Sequence, residues 1–296
     1  MTNWLFFSAL AISSVCLAAD VDGPLNVLKL HTRRRVAADA ESPASQFKIV
    51  EQTIEWDPGR TAVVICDMWD AHWCRGAARR VVELAGPMNK AVAHARELGA
   101  LVIHAPSTTV DFYDDTPQRR RAKAAPYVKP PAPLATSMRW GTAWCWPDEE
   151  REPELPIDDS DMGCDCAEKC EIAAPWTRQI ATIDIGPDDV ISDNGQEVFN
   201  VLHDRKIDHV LILGVHLNMC VLGRPFAIRQ LKHLGIDVVL VRDMTDTMYN
   251  SKMKPYVDHF TGTDLVVEHV EKYWCPTITS VDLVGGKPFR FAEDKR

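Results

Sequence analysis

The stretch Asp208–Asp243, DHVLILGVHLNMCVLGRPFAIRQLKHLGIDVVLVRD, decides the fold. Val210–Leu213 is a continuous apolar run, the pattern of a strand buried on both faces. Gly214 marks a tight turn, and Cys220 follows at the start of an amphipathic run. A second apolar strand, Val238–Val241, closes the unit. Strand, turn, helix and strand in this order predict parallel pairing through a right-handed crossover. A thiol in the first turn of such a helix meets unpaired backbone N–H groups and the positive dipole end, and both favour the thiolate. The reading therefore centres on Cys220.

The same grammar extends outward. Phe47–Ile54 alternates apolar and polar residues, as an edge strand does. Thr61–Cys66 (TAVVIC) and Leu101–His104 (LVIH) read as core strands, with a helix between them that carries Leu84, Met88, Ala91, Ala95 and Leu98 and stops at Gly99. Asp189–Ser192 is a short strand, and Val198, Leu202 and Ile207 suggest the next helix. A helix over Thr263–Tyr273 and a last strand over Thr277–Val284 complete the series. Alternation of this kind predicts an α/β fold: a three-layer, doubly wound, Rossmann-like parallel sheet in a single domain over residues 46–286. Residues 105 to about 187 break the pattern. They are rich in proline and acidic residues, and they read as a long insertion with short elements, lying over the site. Residues 287–296 form a tail.

With 296 residues and a formal net charge of -9, the chain suits a small-molecule substrate better than nucleic acid. The basic clusters Arg33–Arg35 and Gln118–Lys123 read as solvated faces. At the N-terminus, Trp4–Ala18 is apolar but too short to span a bilayer. Small residues follow it, so residues 1–18 read as an export signal and residues 19–45 as a flexible approach. The expected location is secreted or periplasmic, with no membrane contact once the signal is removed. Nine cysteines are present. Cys164, Cys166 and Cys170 cluster as CDCAEKC. Zinc is one reading, but no second CxxC or HxxxH pair accompanies them, and in an exported chain disulfides with Cys145 and others are expected.

In doubly wound sheets, ligands bind beyond the carboxyl ends of the strands. Asp67, His104 and the loop Val215–Cys220 stand at three such ends. A carboxylate at one strand end can act as general base toward a thiol at another. Trp69, His72, His104 and Tyr113 are candidate substrate contacts.

These residues also carry a resemblance. TAVVICDMWDAHWC is similar to the first motif of the isochorismatase-like cysteine hydrolases, and GVHLNMCV resembles that family's GVxTxxCV segment. The likeness spans about Thr61–Val284 apart from the insertion. It implies that Cys220 is the nucleophile, that Asp67 is its base, and that a cis peptide joins Val215 to His216. That geometry would aim the N–H groups of His216 and Cys220 at an oxyanion. It implies hydrolysis of a small-molecule C–N bond without a resident cofactor, and it allows a homo-oligomer. One position departs from the family: Asp193, in VISDNGQEVF, stands where the catalytic lysine belongs. Three readings follow. Another cation, such as His72, His104 or His216, restores the charge; or Asp67, Asp193 and a histidine hold a divalent metal; or the chain binds small molecules without turnover. The DxH…H metal pattern of the nicotinamidases is absent.

Overall fold

The computed structural model describes Met1, residues 27–38 and residues 46–296. The apolar stretch Trp4–Ala18 lies outside them. No helix among the described residues is long and apolar enough to cross a membrane.

Ten strands and six α-helices form among the described residues. The strands are β1 (Leu28–Ala37), β2 (Phe47–Trp56), β3 (Thr61–Cys66), β4 (Leu101–Ala105), β5 (Ser137–Arg139), β6 (Thr142–Trp144), β7 (Val190–Ile191), β8 (His209–Val215), β9 (Asp237–Asp246) and β10 (Thr277–Ile278). The helices are α1 (Arg75–Leu98), α2 (Pro117–Ala124), α3 (Gly195–Asp204), α4 (Ile228–His233), α5 (His259–Tyr273) and α6 (Val281–Val284). Eight strands make one sheet in the order β2-β1-β10-β9-β8-β3-β4-β7. The segment from β10 to β7 is parallel, and β1 and β2 add an antiparallel edge.

The order reverses at β3. The chain moves outward through β4 and β7, then returns to place β8 on the other side of β3. The crevice beyond the carboxyl ends of β3 and β8 is therefore the topological switch point, where ligands bind in such sheets. Every residue of β3 is buried, and its side chains alternate between two cores. Val63 and Ile65 pack toward Leu84, Met88 and Val92 of α1. Ala62, Val64 and Cys66 face the core that holds residues of α3, α4 and α5. Helices on both faces give the three expected layers. Gly214 is required where β8 passes β3. It has φ +112°, and a Cβ there would lie 2.0 Å from the Cys66 carbonyl oxygen.

Four expectations are corrected. Residues 28–37 are a strand, β1, and not a flexible approach. Arg33 and Arg35 are not a solvated cluster, because their Nε atoms donate to the fully buried Glu271 at 2.8 and 3.1 Å. Likewise Arg119, in the second basic run, is buried and paired with Glu197. The last strand ends at Ile278, and Val281–Val284 turns into α6.

The insertion is largely irregular, with α2 and the β5–β6 hairpin as its regular pieces. It is pinned by buried charge. Glu152 accepts from Arg229 Nε (2.6 Å), Arg229 Nη2 (3.1 Å) and Trp274 Nε1 (2.8 Å), and shares a hydrogen bond with His269 Nε2 (2.6 Å). Burial opposes the Glu152 charge, but the bonds from His269 and Arg229 outweigh it and hold the carboxyl down at about 2. No disulfide joins the described cysteines, where pairing among Cys145, Cys164, Cys166 and Cys170 was expected; each of these is a free thiol.

Candidate active site

Asp67 follows the last residue of β3 with φ 48°, and it is fully buried. Its Oδ1 accepts the Ser107 N–H at 2.7 Å, and its Oδ2 accepts Arg224 Nε at 3.0 Å. Cys220 comes from the neighbouring strand end, and its thiol lies close enough to the Asp67 carboxylate to feel its charge. Two residues distant in sequence thus meet because β3 and β8 are adjacent and parallel. The peptide Val215–His216 is cis, as the resemblance implied.

The local structure around Cys220 differs from the expected helix start. Leu217–Val221 forms a single π-helical turn, and α4 begins only at Ile228. The thiol is also not pulled down by a helix dipole. Burial pushes its pKa well above the ordinary value and the Asp67 carboxylate adds to that; the Arg224 guanidinium and the His216 backbone N–H pull it back. The resting group is a neutral thiol beside a carboxylate.

Arg224 is the residue that the sequence reading missed. It lies four positions after Cys220, on the helical spacing that brings it back over the thiol. It is buried, its guanidinium sits 4.3 Å from the Trp144 ring centroid, and its Nη1 has no hydrogen-bond partner among the described residues. Arg224 thus places a positive charge beside the Cys220 thiol. Asp193 lines the same cavity and accepts the Thr108 N–H at 2.8 Å. Burial raises its pKa first, the Thr108 N–H opposes this, and the Asp67 charge raises it again.

The remaining candidates divide. Trp69, His72 and His216 line the cavity with Cys220, Asp193 and Arg224. Trp69 and Trp176 stack at 4.4 Å, and His72 stacks on Trp176 at 5.7 Å. Burial lowers the His72 pKa to about 4, while His216 falls well below its ordinary value through burial and its proximity to His72. Both rings are neutral near pH 7, so neither replaces the missing lysine. His104 and Tyr113 do not line the cavity. His104 is fully buried and held between Gln179 (2.9 Å) and Asp189 (2.9 Å), and the Tyr113 hydroxyl accepts the Gln179 N–H at 3.0 Å. Both are structural.

The cavity measures about 690 Å³, and the insertion builds much of its wall, as expected. Thr108, Trp140, Trp144, Met162 and Trp176 all come from it. Cross-links tie it to the Cys220 turn: Asn218 Nδ2 donates to Asp159 at 2.7 Å, and the Cys145 N–H donates to the Gly223 carbonyl at 2.7 Å.

No protein-family model matches the sequence, and no curated protein matches it. Solved structures do. A cysteine hydrolase from Pseudomonas syringae pv. phaseolicola 1448A aligns with TM-score 0.46 and 16% identity, over 77% of this chain and 92% of that one. An isochorismatase from Pseudomonas putida KT2440 aligns with TM-score 0.45 and 10% identity, over 76% and 91%. N-carbamoylsarcosine amidase from Thermoplasma acidophilum aligns with TM-score 0.39 and 11% identity, over 75% and 96%. The solved chains to which this α/β fold is similar include isochorismatase-family proteins and cysteine hydrolases.

Proposed function

We propose that the chain is a cysteine hydrolase that cleaves an amide-type C–N bond in a small molecule with a flat apolar or aromatic body. The observation that carries this reading is the buried Cys220–Asp67–Arg224 assembly on the wall of an aromatic cavity. The Trp69–Trp176 stack offers ring faces to a planar group. The unpartnered Arg224 Nη1 offers a hydrogen-bond donor beside the thiol.

In this reading Asp67 takes the Cys220 proton as the sulfur attacks the carbonyl carbon. Arg224 balances the carboxylate before transfer and the sulfur during it. The C–S bond forms, and backbone N–H groups at His216 and Cys220 meet the developing oxyanion. Asp67 returns its proton to the departing amine as the C–N bond breaks. Water, losing a proton to Asp67, then attacks the thioester and restores the thiol. Asp193, with its raised pKa, serves as a hydrogen-bonding group on the cavity wall.

The metal-assisted alternative finds little support, because both Asp67 oxygens are already engaged, one by the Arg224 cation. The non-catalytic alternative has one observation in its favour, the strongly raised Cys220 pKa. Turnover of an aryl-amide panel by wild type and Cys220→Ala separates the two. Hydrolysis that disappears in the variant supports the enzyme. Ligand binding without turnover in wild type supports the binder.

A further inference from the structure

The CDCAEKC segment does not stand alone in the fold. Cys74, at the N-cap of α1, comes from the far side of the sequence to meet it. The sulfurs of Cys74, Cys164 and Cys166 all lie within 4.8 Å of one another. Cys170 packs into the same cluster as a fourth thiol, its sulfur outside that 4.8 Å set. Four thiols therefore converge from two chain segments.

We propose that Cys74, Cys164, Cys166 and Cys170 form a structural tetrathiolate site for zinc, which fastens the insertion to the N-terminus of α1. The geometry fits the ion. A tetrahedral site with Zn–S bonds of about 2.3 Å has S–S edges of roughly 3.8 Å. The Cys74–Cys166 separation is 3.8 Å, nearly twice the roughly 2.05 Å of a disulfide bond.

A backbone donor faces one of the sulfurs. The Gly76 N–H donates to Cys166 Sγ at 3.2 Å. The first turn of α1 adds the positive end of a 24-residue helix. Asp165, between two of the cysteines, pairs through Oδ2 with the buried Arg80 at 2.6 Å, while its Oδ1 accepts from Cys74 Sγ at 3.7 Å. Its approach requires glycine at 76, where a Cβ would lie 2.4 Å from Asp165 Oδ1. Four sulfur ligands leave no open position, so the site is closed and not catalytic. Thiol protons pass to solvent as zinc binds. Met248 belongs to this cluster and also lines the cavity, so the ion would brace the cavity wall.

The test uses the full chain, expressed with zinc, and is independent of any hydrolase activity. Metal analysis should return about one zinc per chain. Peptide mapping should recover the four cysteines as free thiols. Exchange for cobalt should give the intense visible absorption of tetrahedral thiolate coordination. Cys170→Ser should weaken and shift that absorption, whereas Cys275→Ser, at a buried thiol elsewhere, should leave it unchanged. Substoichiometric metal after reconstitution under reductant would overturn the proposal. So would disulfides among these four cysteines in metal-free protein, or full zinc retention by Cys164→Ser/Cys166→Ser. Should the variants fail to fold, the wild-type stoichiometry and cobalt spectrum decide alone.

Discussion

Two of the buried carboxylate–arginine pairs among the described residues, Glu152–Arg229 and Asp67–Arg224, differ in what is left over. Glu152 has four donors around it, two from Arg229 and one each from His269 and Trp274. Asp67 has Arg224 Nε and one backbone N–H, and beside it the Cys220 thiol, the unpartnered Arg224 Nη1 and the unpartnered Ser107 Oγ. The first pair is closed and ties the insertion down. The second keeps hydrogen-bonding capacity in a cavity wall, which costs folding free energy and suits chemistry. A buried ion pair alone does not mark a site; unused polar valence facing a cavity does.

Substitutions should separate the two pairs. Cys220→Ala should abolish turnover, a loss on the order of 10⁴-fold or more, with little change in melting temperature. Arg224→Leu should combine both kinds of damage. It strands the Asp67 carboxylate, at a cost of about 3–5 kcal/mol, and it removes the charge beside the thiol. Arg224→Lys should recover more stability than activity, because the fork that engages Asp67 and leaves Nη1 free is lost. Glu152→Ala should destabilise by a similar amount, about 3–5 kcal/mol, while the remaining folded protein keeps its turnover. Denaturant unfolding beside kcat measurement distinguishes these outcomes.

The smallest effect is one of sign. Glu152 is depressed to about 2 in the folded chain from 4.5, so its stabilisation is present above pH 4.5 and fades as pH falls toward 2. Asp193 is raised from its ordinary 3.8, so the folded chain holds its proton more tightly and stability falls as pH rises past that value. Asp193→Asn should therefore raise the melting temperature near neutral pH and leave it unchanged below 3.8. Glu152→Gln should lower it near neutral pH, with the difference shrinking toward pH 2.

The sequence announced the parts of the site that are local. Thr61–Asp67 and Gly214–Cys220 each carry their role within one short run, because a strand end and the turn after it are neighbours in the chain. Arg224 was legible only as helical spacing from Cys220, and expectation looked for the cation before the nucleophile. His104 stands at a strand end like Asp67, but Asp189 and Gln179 hold its ring away from the cavity, and both lie far along the chain. The strand β1 hid behind its arginines, whose partner Glu271 is more than 230 residues away. The cysteine cluster showed three of its four members, since Cys74 joins only through the fold.

The most direct test of the Cys220–Asp67–Arg224 account is acylation by a chromogenic 4-nitrophenyl ester of an aromatic acid, followed by stopped-flow absorbance and peptide mapping. The account predicts a burst of about one nitrophenolate per chain, with the acyl group on Cys220 and the burst lost in Asp67→Asn. An ester that occupies the cavity without a burst, or an acyl group recovered on another residue, would contradict it.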